Sequence, residues 1–299
     1  MKPKLLSLVF LALATGSPVI AQTAPASKAA QTASQEIAIK NNESLAFMGD
    51  SITQFGAELP GGYVRLVISG FKANGIEVTP YPAGISGHKS KQMLERLEKD
   101  VLSKKPTWMT LSCGVNDVWH GTNGVPLELY KPNITALVEK AQAAGVKVMI
   151  LTATMLGEKA ADAGNVKLAS YNDFLRQLAK EKGCLLADLN ANMQAALKPE
   201  IKGNQLTRDG VHMNPFGDQM MATGVLRAFG LNESQIKVAR DYWMDMPEIA
   251  CLVDCKVGLT LRQYQQLSAM AAKQNQTVSD LVSAEAIKAI PAMLKVSQP

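Results

Sequence analysis

LAFMGDSITQ, residues 45–54, opens on a short apolar run and breaks at Gly49, Asp50 and Ser51. A run of that length, with no polar residue alternating through it and turn residues closing it, reads as a strand buried on both faces. Strands of that kind belong to parallel sheets covered by helices. Similar runs recur outward along the chain: IEVTPY at 76–81, WMTLS at 108–112, VKVMILT at 146–152 and CLLADL at 184–189. The segments between them carry apolar residues at three- and four-residue intervals, which predicts helices over 63–74, 90–103, 126–144 and 166–182. Gly75, Gly145 and Gly183 each sit just past the last periodic residue, where a left-handed cap lets the chain turn into the next strand. A last core helix is expected over 214–228, with Asn214 capping and Pro215 in the first turn. The alternation predicts an α/β fold: an open, doubly wound three-layer α/β/α sandwich around a five-stranded parallel sheet, with its site at the carboxyl ends of the strands.

At 299 residues with 47% hydrophobic content, the chain has ample material for a buried core. Its start places Lys2 and Lys4 ahead of an apolar run from Leu5 to Ala14, followed by small and apolar residues up to Ala21. The run is shorter than the ~20 residues of a membrane span, so residues 1–21 read as a signal peptide cleaved after Ala21. The residue directly after that point is Gln22 and not a cysteine, so a lipid-anchored N-terminus is not expected. Cleavage removes two lysines and no acid, taking the formal charge from +5 to +3, too mild to imply nucleic acid. No later stretch is apolar and long enough to cross a membrane, so an exported protein is expected, periplasmic or secreted.

Residues 22–42, rich in Ala, Gln, Ser and Thr without apolar period, read as a flexible linker, and the main folded domain is expected over 43–230. Beyond it, residues 231–299 form an expected helical extension. LTLRQYQQLSAMAAKQ and TVSDLVSAEAIKAIPAML read there as two amphipathic helices around a polar turn at Asn275. Preceded by a strand-like Lys256-Val257-Gly258-Leu259, they resemble ribbon-helix-helix dimerisation modules. In an exported chain this implies an appendage that packs on the core or forms a homodimer, not a DNA reader. Of the four cysteines, Cys113 and Cys184 are expected as buried apolar side chains, and Cys251 and Cys255 as a short local disulfide. Two thiols with no nearby His or second Cys pair do not complete a tetrahedral metal site.

Four segments lie at predicted strand ends or on the loops that follow: GDSI at 49–52, Gly84, GVND at 114–117 and DGVH at 209–212. Singly each is ordinary, because G-x-S is commonly a turn, N-D a cap, and D-x-x-H a surface helix or a core histidine. In this order and spacing the chain resembles the SGNH, or GDSL, hydrolase family over about residues 43–230, with blocks GDSIT at 49–53, the glycine of YPAGISG at 81–87, GVND and DGVH. The resemblance implies a flavodoxin-like fold and a serine ester hydrolase. Ser51, Gly84, Asn116 and His212 take the four named roles, and Asp209 completes the triad.

Elementary chemistry agrees with those roles. A serine hydroxyl needs a base to take its proton as it attacks an ester carbon, and histidine suits that task near neutral pH. Asp209, three residues before His212, can reach Nδ1 while Nε2 faces Ser51. His88, in a Gly/Ser/Lys loop without an acid beside it, is expected to be solvated; His120, after Trp119, is a candidate substrate contact. The oxyanion donors are the backbone N–H groups of Ser51 and Gly84 and the side-chain amide of Asn116. Asp50 and Asp117 border the site and are suited to bracing loops through backbone hydrogen bonds, with Asp50 also a candidate substrate contact. The reaction requires no metal or organic cofactor.

The pattern after Ser51 (Thr53-Gln54-Phe55-Gly56, then Gly61-Gly62-Tyr63) and after Asn116 (Trp119-His120-Gly121) resembles exported acetylesterases of polysaccharide degradation. Trp119 and Tyr63 are expected as a platform for a sugar ring, and the substrate as a small-molecule or polysaccharide ester. Two other readings stay open here: a broad short-chain esterase, lysophospholipase or thioesterase, and a glycan-binding protein with a vestigial site.

Overall fold

The computed structural model describes residues 36–246 and 257–296. The expected signal peptide over 1–21, residues 22–35 of the expected linker, the Cys251–Cys255 pair expected as a disulfide, and Lys256 lie outside the described residues. In chain order the elements are β1 (Glu43–Gly49), α1 (Ser51–Glu58), α2 (Tyr63–Ala73), β2 (Val78–Gly84), α3 (Ser90–Asp100), β3 (Trp108–Ser112), α4 (Val115–Trp119) and α5 (Leu127–Ala143). They continue with β4 (Lys147–Leu151), α6 (Ala163–Glu181), β5 (Leu185–Ala187), α7 (Leu189–Ala196), α8 (Pro215–Ala228), α9 (Glu233–Met244), α10 (Leu261–Lys273) and α11 (Val278–Val296).

The five strands form one parallel sheet in the order β2-β1-β3-β4-β5, the expected α/β architecture. Leu45, Ala46, Phe47 and Met48 of β1 have no exposed surface, and all five residues of β3 are buried, as strands covered on both faces must be. The chain leaves β1 toward β2 on one side and fills β3, β4 and β5 on the other. The order therefore reverses between β1 and β3, and a crevice opens beyond their carboxyl ends.

Strand β2 spans Val78–Gly84, through Pro80 and Pro82, so it starts and ends later than the expected 76–81. It is an edge strand, where a residue without an N–H costs no ladder bond on the open side. Strand β5 shortens to three residues and leaves Cys184 half-buried outside it, whereas Cys113 is buried as expected. The packed body also exceeds 43–230 at both ends. Ile39 is 1% exposed and Ala38 N–H donates to Phe229 O at 2.8 Å, so the residues just ahead of β1 are packed and are not linker. Past Gly230, α9 buries Ile236, Ala239 and Trp243, and Trp243 Nε1–H donates to Leu66 O of α2 at 3.1 Å.

The two C-terminal helices form as expected, with Asn275 at φ 53 in the turn between them and Ala271 and Leu281 as their buried residues. The strand-like reading ahead of them does not hold: Val257 to Leu259 are in no strand. Among the described residues, no strand lies outside the five-stranded sheet for them to pair with. No described helix is long and apolar enough to cross a membrane.

Candidate active site

Ser51 is the first residue of α1, directly after β1, so the strand end delivers its hydroxyl to the crevice. Asp50 caps the helix, its Oδ1 accepting the Ile52 N–H at 3.0 Å. His212 arrives on the loop ahead of α8, with Nε2 2.9 Å from Ser51 Oγ and Nδ1 2.6 Å from Asp209 Oδ2. The aspartate oxygen fixes the proton on Nδ1 and leaves Nε2 as the acceptor for the serine proton. Asp209 Oδ1 accepts the N–H groups of Val211 at 2.9 Å and His212 at 2.8 Å. Partial burial raises the Asp209 pKa, but the hydrogen bonds from the His212 ring and these two N–H groups outweigh it and hold the carboxyl below its ordinary value.

The donor side is built by two glycines. Gly84 ends β2 in register with Gly49, and a Cβ there would lie 2.3 Å from Gln54 N of α1, so only glycine lets the strand end lie against the serine helix. Gly114 turns β3 into α4 at φ 135, a conformation open to glycine, and this turn buries Asn116 at 3% exposure. Asn116 donates one N–H of its amide to His88 O at 3.1 Å, and its Oδ1 lies 3.2 Å from His120 Nε2, which therefore donates to it. The second amide N–H is the one an oxyanion would receive.

Several residues take other places than the sequence implies. Tyr63 has no exposed surface and its hydroxyl bonds Thr53 Oγ1 at 2.8 Å, so it is a core residue and not a sugar platform. Asp50 is 2% exposed and serves the cap, so it is a brace and not a substrate contact. Burial raises its pKa to about 6. Asp117 is the brace expected: it accepts Ser90 N–H at 3.1 Å and Ser90 Oγ–H at 2.7 Å, tying α4 to the start of α3. Trp119 is 54% exposed and stays available to a ligand. His120 orients the Asn116 amide while remaining exposed. His88 is not a free surface residue, because its Nδ1 accepts Arg96 Nε–H at 3.1 Å; desolvation and then the Arg96 charge lower its pKa.

Three further residues shape the site without a role the sequence assigned to them. Phe55, one helical turn after Ser51, meets the His212 ring edge-on at 5.2 Å between centroids. Arg96 reaches the ends of β1 and β2 from α3. Glu158, on the loop after β4, accepts the N–H groups of Gln205, Leu206 and Thr207 and the Thr207 hydroxyl. Among the described residues, no cluster of three or more His, Cys, Asp or Glu side chains is placed to hold a metal ion.

A hydroxyl, an imidazole and a carboxylate in line at the switch point of a parallel α/β sheet define a serine hydrolase. The chain belongs to the GDSL-like lipase/acylhydrolase family, whose model matches residues 47–220, and it is thus a carboxylic ester hydrolase. A curated relative, an acetylxylan esterase of Geobacillus stearothermophilus, is 28% identical over 213 residues, covering 64% of this chain and 96% of the relative. The crystal structure of the acetyl xylan esterase AlAXEase matches with a TM-score of 0.58 and 34% identity, over 62% of this chain and 98% of that one. The acetylxylan esterase Axe2 from Geobacillus stearothermophilus matches with a TM-score of 0.59 and 26% identity, over 65% and 97% of the two chains. Solved catalytic mutants of Axe2 replace a serine, an aspartate and a histidine, the last two spaced as Asp209 and His212 are here.

Proposed function

We propose that the protein removes acetyl or other short acyl groups from carbohydrates through an acyl-Ser51 intermediate. The observation that carries this reading is the continuous hydrogen-bonded line from Ser51 Oγ through the His212 ring to Asp209 Oδ2, beside the buried Asn116 amide. As Oγ attacks the ester carbon, His212 Nε2 takes its proton, and the charge that develops on the carbonyl oxygen meets the Ser51 and Gly84 N–H groups and the Asn116 amide. The imidazolium then gives its proton to the departing sugar oxygen, which leaves as a hydroxyl as its bond to the acyl carbon breaks. Water attacks the acyl-serine with His212 again as base, which releases the carboxylic acid and restores the hydroxyl.

The substrate class is supported by the two acetylxylan esterases to which the chain is similar and by Trp119, an exposed aromatic face next to the oxyanion donor. Action outside the cytoplasm belongs to the same proposal, supported by the basic and apolar pattern of residues 1–21.

The test is acetate release from a panel of acetylated polysaccharides, set against aryl esters of increasing acyl length, for the parent, Ser51→Ala and His212→Ala. The expected result is preference for acetylated glycans and loss of nearly all turnover in both variants, since triad members act as a unit. A preference for acyl chains beyond about eight carbons would contradict the carbohydrate reading.

A further inference from the structure

Arg96 is a guanidinium 9% exposed whose hydrogen bonds run to the parts of the fold that supply the oxyanion donors. One terminal nitrogen, Nη2, donates to Gly49 O at 2.8 Å, at the strand end that delivers Ser51. The other, Nη1, donates to Ala83 O at 2.9 Å and to Asp100 Oδ2 at 3.0 Å. Its Nε donates to His88 Nδ1 at 3.1 Å, and the backbone oxygen of that same His88 accepts the Asn116 amide.

We propose that Arg96 is the positioning residue of the oxyanion site, with its single planar guanidinium holding the Ser51, Gly84 and Asn116 donors in register. The proposal rests on the reading of those three groups as oxyanion donors. Its physical basis is clearest at Gly84. Ala83 C=O and Gly84 N–H belong to one planar amide, so a bond that fixes the oxygen also fixes the direction of the N–H. A cation on the oxygen further polarises that amide and makes its N–H a stronger donor.

At Gly49 the carbonyl accepts the Ile85 N–H at 3.1 Å as well as Arg96, which locks the ends of β1 and β2 together just where both enter the site. At His88 the bond needs a lone pair on Nδ1, so Arg96 holds the ring neutral and the loop in place behind Asn116. Lysine cannot reproduce this, because an ammonium on a flexible stem lacks the rigid fork that meets these four acceptors at once. A buried cation is also an unfavourable way merely to fill space, since a well-packed apolar side chain would do so at lower cost.

The experiment measures kcat and KM on an aryl acetate for the parent, Arg96→Lys, Arg96→Met, Asn116→Ala and the Arg96→Lys/Asn116→Ala double variant, with circular dichroism to confirm the fold. Arg96→Lys keeps a positive charge for Asp100 and is the variant expected to fold in any case. Loss of one oxyanion donor costs about a hundredfold or more, so kcat is expected to fall at least ~10-fold in Arg96→Lys and ~100-fold in Arg96→Met, with KM within about threefold of the parent. The loss in the double variant is expected to be well short of the product of the single losses, because both act on one site.

Folded Arg96→Lys with kcat within about twofold of the parent, while Asn116→Ala is impaired, overturns the role of Arg96 and leaves the donor assignment standing. Losses that multiply fully in the double variant overturn it too. So does a failure of both Arg96 variants to fold, which makes Arg96 a residue of the fold alone. Asn116→Ala with the kcat of the parent instead removes the donor assignment on which the proposal stands.

Discussion

Asp209 divides its two oxygens between two tasks, one meeting the imidazole and the other taking two backbone N–H bonds, so the carboxylate cannot rotate away from His212 without breaking both. Asp218 shows the opposite environment. It is 5% exposed, with the Tyr63 N–H at 2.9 Å as its close partner, and burial raises its pKa from 3.8 to about 7 despite that bond and the Arg208 charge. A carboxyl that holds its proton more tightly folded than unfolded loses stability for the protein as pH climbs from about 4 to 7. Asp218→Asn keeps an oxygen for the Tyr63 N–H and removes the charge. It is expected to match the parent near pH 4 and to be more stable by about 2 kcal/mol near pH 8, read from thermal melts across that range. An equal difference at both ends of the range would contradict the role of ionisation. The Asp209–His212 pair was legible in the sequence because three residues of backbone suffice to join them. The Asp218–Tyr63 contact joins positions 155 apart, and nothing local distinguishes Tyr63 in the core from an aromatic at a cleft.

The element that brings His212 to the sheet is a loop with a single isolated bridge, Thr207 to Met213, and Glu158 holds it through four hydrogen bonds to residues 205–207. Thr207 Oγ passes the restraint on by accepting the Gly210 N–H at 3.0 Å, and Asn214 closes the loop as the cap of α8. The bonds from these donors lower the Glu158 pKa against the effect of partial burial. Glu158→Ala is expected to lower kcat about tenfold and to cost ~1–3 kcal/mol, as buried donors lose an ionised acceptor. Glu158→Gln should fall between. Steady-state kinetics with limited proteolysis of the 198–209 segment checks this, and an unchanged kcat together with unchanged cleavage would refute it. The strands and long helices were legible from apolar period. The short α4 and α7 span five and eight residues, too few turns for a period to show, and α9 was lost because only Ile236, Ala239 and Trp243 face inward. Glu158 stands on an irregular loop almost fifty residues before its partners, so no spacing rule reaches it.

At the scale of the whole molecule, the sheet order decides where chemistry can occur. The reversal between β1 and β3 parts the loops that carry Ser51 and Asn116 and opens the crevice into which the loop before α8 brings His212. This arrangement was readable in the sequence, because GDSI, Gly84 and GVND each close an apolar run and parallel sheets put such loops on one edge; DGVH, beyond α7, was placed there by its Asp-His spacing and not by a run ahead of it. The extent of the packed body was less readable: Ile39 and Trp243 are buried by contacts distant in the chain, not by a pattern around them. The central claim is that Ser51 becomes acylated, and the most direct measurement is rapid acid quenching of the protein during turnover of an aryl acetate, followed by peptide mapping by mass spectrometry. An acetyl group on Ser51, absent from Ser51→Ala and short-lived while His212 is intact, is the predicted result. Turnover that persists in Ser51→Ala, or acetyl carried on another residue in step with turnover, would contradict the account.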